Sequence, residues 1–142
     1  MSTEENKALV RRWFVELNKG NLDAADEMYA ADYVLHDPGA PPNLPPGPEG
    51  VKQFLAPILA GLSNSQGTIE HLVAEDDKVA VWATFTGTHT GELAGVSPTG
   101  NQVSILVTSI IRIAGGKFAE EWELADGLTM MQQIGAIPMP GA

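Results

Sequence analysis

The chain contains no cysteine, which excludes disulfides, thiolate metal sites and a cysteine nucleophile. Positive charge is scarce: eight Lys and Arg stand against eighteen Asp and Glu, a formal net charge of -10. A surface of that sign repels polyphosphates and anionic headgroups, so nucleic acid and acidic membranes are set aside as partners. Long apolar runs are missing as well. The richest stretch, SILVTSIIRIA, is broken by Ser, Thr and Arg and falls short of the roughly 20 apolar residues of a membrane span. The opening MSTEENKALVRR carries acid where a signal peptide needs a basic and then an apolar segment, so the expectation is a soluble, cytoplasmic protein. Gly-rich phosphate loops, GxSxG elbows and fixed-period repeats are also absent, which removes the usual sequence support for ATP, NAD and acyl-serine chemistry.

What is present suits one domain spanning residues 1-142, with 44% hydrophobic residues to fill a single core. Leu9, Val10, Trp13, Phe14 and Leu17 lie along one helical stripe, which Ser2 or Thr3 can cap and Gly20 can end. A second helical piece, LDAADEMYA, places Leu22, Ala25, Met28 and Tyr29 on one face, and DYVLHDP follows as a short extended segment. Residues 38-48 hold six of the ten prolines, so this stretch is a loop or lid. Gly47 and Pro48 then start a helix whose stripe is Val51, Phe54, Leu55, Ile58, Leu59 and Leu62, with Pro57 expected to kink it. From Thr68 onward the spacing predicts strands at about 68–74, 79–89, 102–113 and 118–124. A last helix runs over 126–134 with Asp126 as its cap. Helices first and antiparallel strands second is an α+β layout.

That order resembles the NTF2-like cone, and the strings ENKALVRRWFVELNKGNLDAADEMYAADYVLHDP, GPEGVKQFLAPI, GTHTGELAGVSPTG, IIRIAGGKFAEEWELAD and QQIG resemble the SnoaL-like polyketide (ester) cyclase branch over nearly the full chain. The resemblance implies N-terminal helices packed on a strongly curved antiparallel β-sheet that encloses a pocket. It also implies cofactor-free aldol ring closure or isomerisation of a hydrophobic carbonyl substrate, with one carboxylate moving the proton. Glu123 stands at the position of that carboxylate, counted from GGK before it and QQIG after it. At the positions where the antibiotic cyclases hold polar groups against substrate oxygens, this chain has Leu35, Val107 and Ser109. A homodimer through the outer sheet face, rich in Val and Ile over 103–113, is a further implication of the resemblance.

The residues themselves leave several readings open. Alternation along the last strand puts Glu121 and Glu123 on one face and Phe118, Glu120, Trp122 and Leu124 on the other. If the Phe118 and Trp122 face packs under the helices, the two glutamates look toward the cavity or toward solvent. His36 and Asp37 precede the proline loop, where they could bind substrate oxygens or relay a proton, or simply start a turn. His36 stands as the second catalytic candidate after Glu123. His89, Ser109, Asp37, Trp82 and Glu121 are the expected substrate-binding residues, although Gly87 and Gly91 around His89 suit a tight bend that its ring would instead pin. No metal is expected, because His36, Asp37 and His89 lack ligand spacing. Trp82, Trp122, Phe85 and Met130 are read as core or pocket wall. Two other functions compete with the cyclase reading: a noncatalytic module that binds a small apolar ligand, and an epoxide or ester hydrolase that would need Arg112 to point inward.

Overall fold

In the computed structural model, which describes residues 2–138 and 141, Ser2 opens the first helix, α1 (Thr3–Asn18). Its hydroxyl accepts from the Glu5 amide at 3.1 Å while Glu5 Oε1 accepts from the Ser2 amide at 3.1 Å. This reciprocal cap satisfies amides that a helix start leaves free. The stripe of α1 turns Val10, Trp13 and Leu17 into the core. A single 3-10 turn (Leu22–Ala24) leads into the one-turn helix α2 (Ala25–Met28), and strand β1 (Tyr29–His36) begins at once.

Tyr29 therefore opens a strand, where the periodicity predicts a helix. Its ring lies edge-on to Trp13, Tyr33 and Phe118 at centroid distances of 5.1, 4.7 and 4.9 Å, and its backbone pairs with Phe118. Burying this aromatic cluster outweighs the weak preference of a short amphipathic run.

Helix α3 (Pro48–Gly61) starts on Gly47 with proline at its first position, as expected. The strands β2 (Leu62–Glu75), β3 (Lys78–His89), β4 (Gln102–Ala114) and β5 (Lys117–Ala125) follow, and α4 (Gly127–Gln133) ends the fold. Strand β2 begins six residues before the predicted 68. Asn64 has φ 52° and the pairing with β3 slips between Ser63 and Gln66, so a bulge hides the strand's start behind a sequence, SNSQG, that reads as a turn.

The sheet order is β1-β5-β4-β3-β2. Strands β2 to β5 form the expected antiparallel meander, and β1 adds to β5 in parallel. That parallel pair makes the α+β sheet mixed, with β1 and β2 as its two free edges. Two apolar clusters hold the layers together. The larger packs Val10, Trp13, Met28 and Tyr29 against Val79, Val81, Ile111 and Phe118. The smaller gathers Leu62, Leu93, Val103 and Ile134 beside α4, where Asp126 caps the helix by accepting from the Thr129 amide and hydroxyl at 3.1 and 2.6 Å.

The proline segment is stitched down at its far end. The Gly47 amide donates to the Tyr33 carbonyl at 2.8 Å, and a Cβ on Gly47 would come within 2.5 Å of the Ala31 carbonyl at a φ of 78°. A Cβ on Gly50 would collide with the Pro45 carbonyl. We expect Gly50→Ala to lower stability by about 1–3 kcal/mol, as overpacking of a close contact does, whereas Gly127→Ala, with nothing within 4 Å, should leave it unchanged or slightly raised. Urea unfolding of the two variants checks this; equal midpoints would show that the loop gives way.

Candidate active site

The concave face of the sheet and the helices enclose a cavity of about 240 Å3. Six aromatic side chains, Trp13, Phe14, Tyr29, Tyr33, Phe54 and Phe85, form much of its wall, and Leu44, Pro45 and Pro46 of the proline segment cover one side. The polar groups are few: Ser109 from β4, Glu121 and Glu123 from β5, and the two tyrosines. These are the only two tyrosines in the chain, so every phenol it has is spent here.

Both glutamates face inward because β5 carries a bulge. Ile113 pairs with Phe118 but Arg112 pairs with Glu120, leaving Ala119 as the extra residue. Side-chain direction flips once there. Phe118 and Glu121, three residues apart, are thus both buried, at 1% and 8% exposure. Simple alternation groups Phe118 with Trp122, and the structure corrects this: Trp122 is 39% exposed on the outer face.

Glu121 is held from the side by Tyr33, whose hydroxyl donates to Oε1 at 2.7 Å. Burial pushes the Glu121 carboxyl up, hydrogen bonds from Tyr33 and Ser109 pull it back, and the charge of Asp37 pushes it up again. Glu123 is half-buried between the cavity and a shallow outer depression that it shares with Ser109, His36 and Asp37. Its carboxyl is driven well above the usual carboxylate range, first by burial, then by the charge of Glu121 and by its hydrogen bond and charge interaction with Asp37. Burial, followed by the charge of Glu121, also raises both phenols, so Tyr29 and Tyr33 remain neutral donors.

These shifts have a consequence for stability. A carboxyl whose folded value is raised adds stability that is fully present below its unfolded value, here 4.5, and is lost as pH rises through the folded value. The difference in melting temperature between wild type and Glu123→Gln should therefore grow in favour of the variant as pH climbs above 4.5. Thermal melts across that window check it, and a flat difference would mean that Glu123 is solvated.

The other expected site residues divide. Asp37 sits at the rim, its Oδ1 accepting from the Gly39 amide at 2.8 Å. Ser109, 8% exposed, lies in the wall opposite Glu123 on β4, and Leu35 and Val107 line the same cavity as apolar groups. His36 does not enter it. Its ring stacks on Trp122 at 5.5 Å and 17°, and Nε2 donates to Glu120 at 2.8 Å on the outer side.

His89 is likewise outside the cavity, corrected from a substrate contact to a loop anchor. It is fully buried; Nδ1 accepts from the Thr99 amide at 3.3 Å, with the Thr99 hydroxyl at 2.8 Å, and Nε2 donates to the Val96 carbonyl at 3.2 Å. The reason is the 90–101 loop, which folds back over the end of β3 and needs a buried polar group to hold it. Trp82 is corrected too. Alternation along β3 turns Val79, Val81 and Ala83 inward and leaves Trp82 48% exposed on the opposite face. Of the other residues read as core, Phe85 lines the cavity and Met130 packs on the smaller cluster.

Arg112 points outward, its Nε donating to Glu120 at 3.2 Å, so the hydrolase reading has no inward arginine. Among the described residues no group of three His, Asp or Glu side chains is placed to hold a metal. Tyr33 is the cavity contact to Glu121 that sequence reasoning missed. Its signal was weak: a lone tyrosine in a short strand, whose partner lies 88 residues away.

No curated protein matches the chain. Among solved structures, AclR of Streptomyces galilaeus, a candidate hydroxylase, superposes with a TM-score of 0.84 at 28% identity over 96% of this chain and 100% of its own. IdmH of Streptomyces antibioticus, a candidate polyketide cyclase, gives 0.80 at 29% identity over 92% and 98%. TsrD of Streptomyces laurentii shares the fold, with a TM-score of 0.85 at 24% identity over 96% and 99%. The family model of the SnoaL-like polyketide cyclases matches residues 8–134. With that span covering nearly the whole chain and the same fold in these neighbours, the protein belongs to the SnoaL-like polyketide cyclase family.

Proposed function

We propose that the protein is a cofactor-independent enzyme that moves a proton on a small hydrophobic carbonyl compound, closing a ring by aldol addition or shifting a double bond. The observation that carries this reading is a carboxyl, Glu123, driven to high proton affinity at the edge of a largely apolar cavity. Ionised Glu123 takes the proton from the carbon beside the carbonyl. The resulting enolate carbon attacks a second carbonyl; a carbon–carbon bond forms, the carbon–oxygen π bond breaks, and protonated Glu123 returns the proton to the new alkoxide. One group serves both steps only where water is scarce and its proton affinity lies near the working pH. Ser109 and the neutral phenol of Tyr29 are the donors within the cavity for the developing oxygen charge.

The test needs no knowledge of the natural substrate. In D2O, small hydrophobic ketones should exchange their α-protons faster with the protein than with buffer, followed by NMR, and Glu123→Gln should remove the excess. Exchange no faster than buffer for every ketone overturns the proposal. It would favour the second reading, a ligand-binding module, which the apolar Leu35 and Val107 in the wall support.

The homodimer is also part of this proposal. Trp82, Ile110, Trp122 and Leu124 are 39–59% exposed on the outer sheet face and adjoin through the pairs Trp82 with Thr108, Thr108 with Leu124 and Ile110 with Trp122. An exposed apolar patch of this kind supports an interface there. Light scattering should give a dimer at micromolar concentration and a monomer for Ile110→Asp; a monomeric wild type overturns the dimer.

A further inference from the structure

The cavity holds two carboxyls and no cation. None of its lining residues is Lys, Arg or His among the described residues. Basic groups elsewhere in the fold have partners of their own: His36 and Arg112 with Glu120 on the outer face, Lys52 with Asp23 and Asp26, and His89 with the 90–101 loop. A buried carboxylate without a counterion is costly, so it either takes up a proton or meets a positive charge brought by something else. A ligand is what enters this space. The wall around the carboxyls is aromatic, and ring faces attract a desolvated cation. The chain's net charge of -10 draws cations toward the mouth and repels anions.

Size narrows the class further. An apolar cavity of about 150 Å3 takes one benzene ring, so about 240 Å3 has room for about two fused rings. The cover is tied at its far end, where the Gly47 amide donates to the Tyr33 carbonyl. A ligand of four fused rings would have to displace it.

We propose that the cavity selects a one- or two-ring hydrophobic molecule carrying a protonated amine, anchored by Glu121 among the aromatic rings while Glu123 remains for proton transfer. This rests on the reading of the cavity as the substrate site and adds the charge and size of what enters it. Glu121 is the anchor because it is the more buried of the two and is oriented by Tyr33. The titratable groups that face the bound nitrogen are Tyr29, Tyr33, Glu121 and Glu123, with Asp37 at the rim.

Calorimetry at pH 7 with three probes of one shape, naphthylmethylamine, naphthylmethanol and naphthoate, tests it. The amine should bind about tenfold more tightly than the alcohol, the size of one charge-assisted contact, and naphthoate should not bind. Glu121→Gln should bring amine and alcohol to within about threefold of each other without weakening the alcohol, which shows that the variant's cavity is intact. Glu92→Gln, an exposed charge outside the cavity, should leave the preference unchanged. The inference is overturned if the alcohol binds as tightly as the amine, if none of the probes binds, or if Glu92→Gln abolishes the preference as well. Ketone exchange in D2O reads the proton-transfer proposal independently. Exchange with no amine preference sinks only this inference, and an amine preference with no exchange sinks only the enzymatic reading.

Discussion

Glu123→Gln is expected to lower the rate of α-proton exchange by about 100-fold to 10,000-fold, the range that a positioned acid or base contributes. The substitution keeps size and hydrogen-bonding atoms and removes only the capacity to hold and release a proton. Its structural effect should run the other way: a neutral amide relieves the charge of Glu121 and the cost of burial that together raise the Glu123 carboxyl. A folded variant, no less stable at neutral pH, with exchange reduced to the buffer rate would separate chemistry from stability. Retained exchange in Glu123→Gln with loss in Glu121→Gln would move the proton-transfer role two residues along β5. Steady-state exchange followed by NMR, with circular dichroism as the folding control, makes the distinction.

Phe118→Ala is expected to cost about 3–5 kcal/mol, typical of removing a buried aromatic side chain, out of the ~5–15 kcal/mol that holds a domain folded. Phe118 is 1% exposed, packs on Tyr29 at 4.9 Å and precedes the bulge that turns both glutamates inward. Its loss should therefore lower the urea midpoint and also loosen Tyr29 in the cavity wall. Trp122→Ala, a larger deletion at a half-exposed position on the outer face, should cost less in the monomer. If the two variants unfold at the same denaturant concentration, the aromatic cluster around Tyr29 is not the keystone of this fold.

Much of the architecture is visible in local pattern. The α1 stripe, the cap at Ser2, the proline stop, the helix start at Gly47–Pro48 and the α4 cap at Asp126 each depend on neighbours within about one helical turn. Strands β3, β4 and β5 were legible to within a residue at most ends because Gly and Asp turns bracket runs of Val, Ile and Thr. The misplaced boundaries share a cause. Tyr29 leaves the helix for contacts with residues as distant as Phe118, and β2 starts early behind a bulge whose pairing partner lies on β3.

The site divides along the same line. Glu123 was found through a count along β5 between two recognisable strings, and Ser109, Leu35 and Val107 through the same correspondence. All four line the cavity. His36 and Trp82 were plausible by residue type, yet a side chain's face is set by its strand's partners, which put His36 on Trp122 and Trp82 on the outside.

The order of elements, the excess of acid, the proline cover and the carboxylate at the end of the last strand follow from residues close together in the chain. Three features needed the folded molecule: the inward turn of Glu121 and Glu123, the Tyr33 hydroxyl bonded to Glu121, and the exclusion of every cationic side chain from the cavity among the described residues. Each depends on contacts between segments tens of residues apart. A single unpaired residue in β5, Ala119, reverses the faces that period-two alternation assigns. Alternation is a local rule, and a bulge is a decision made across the sheet.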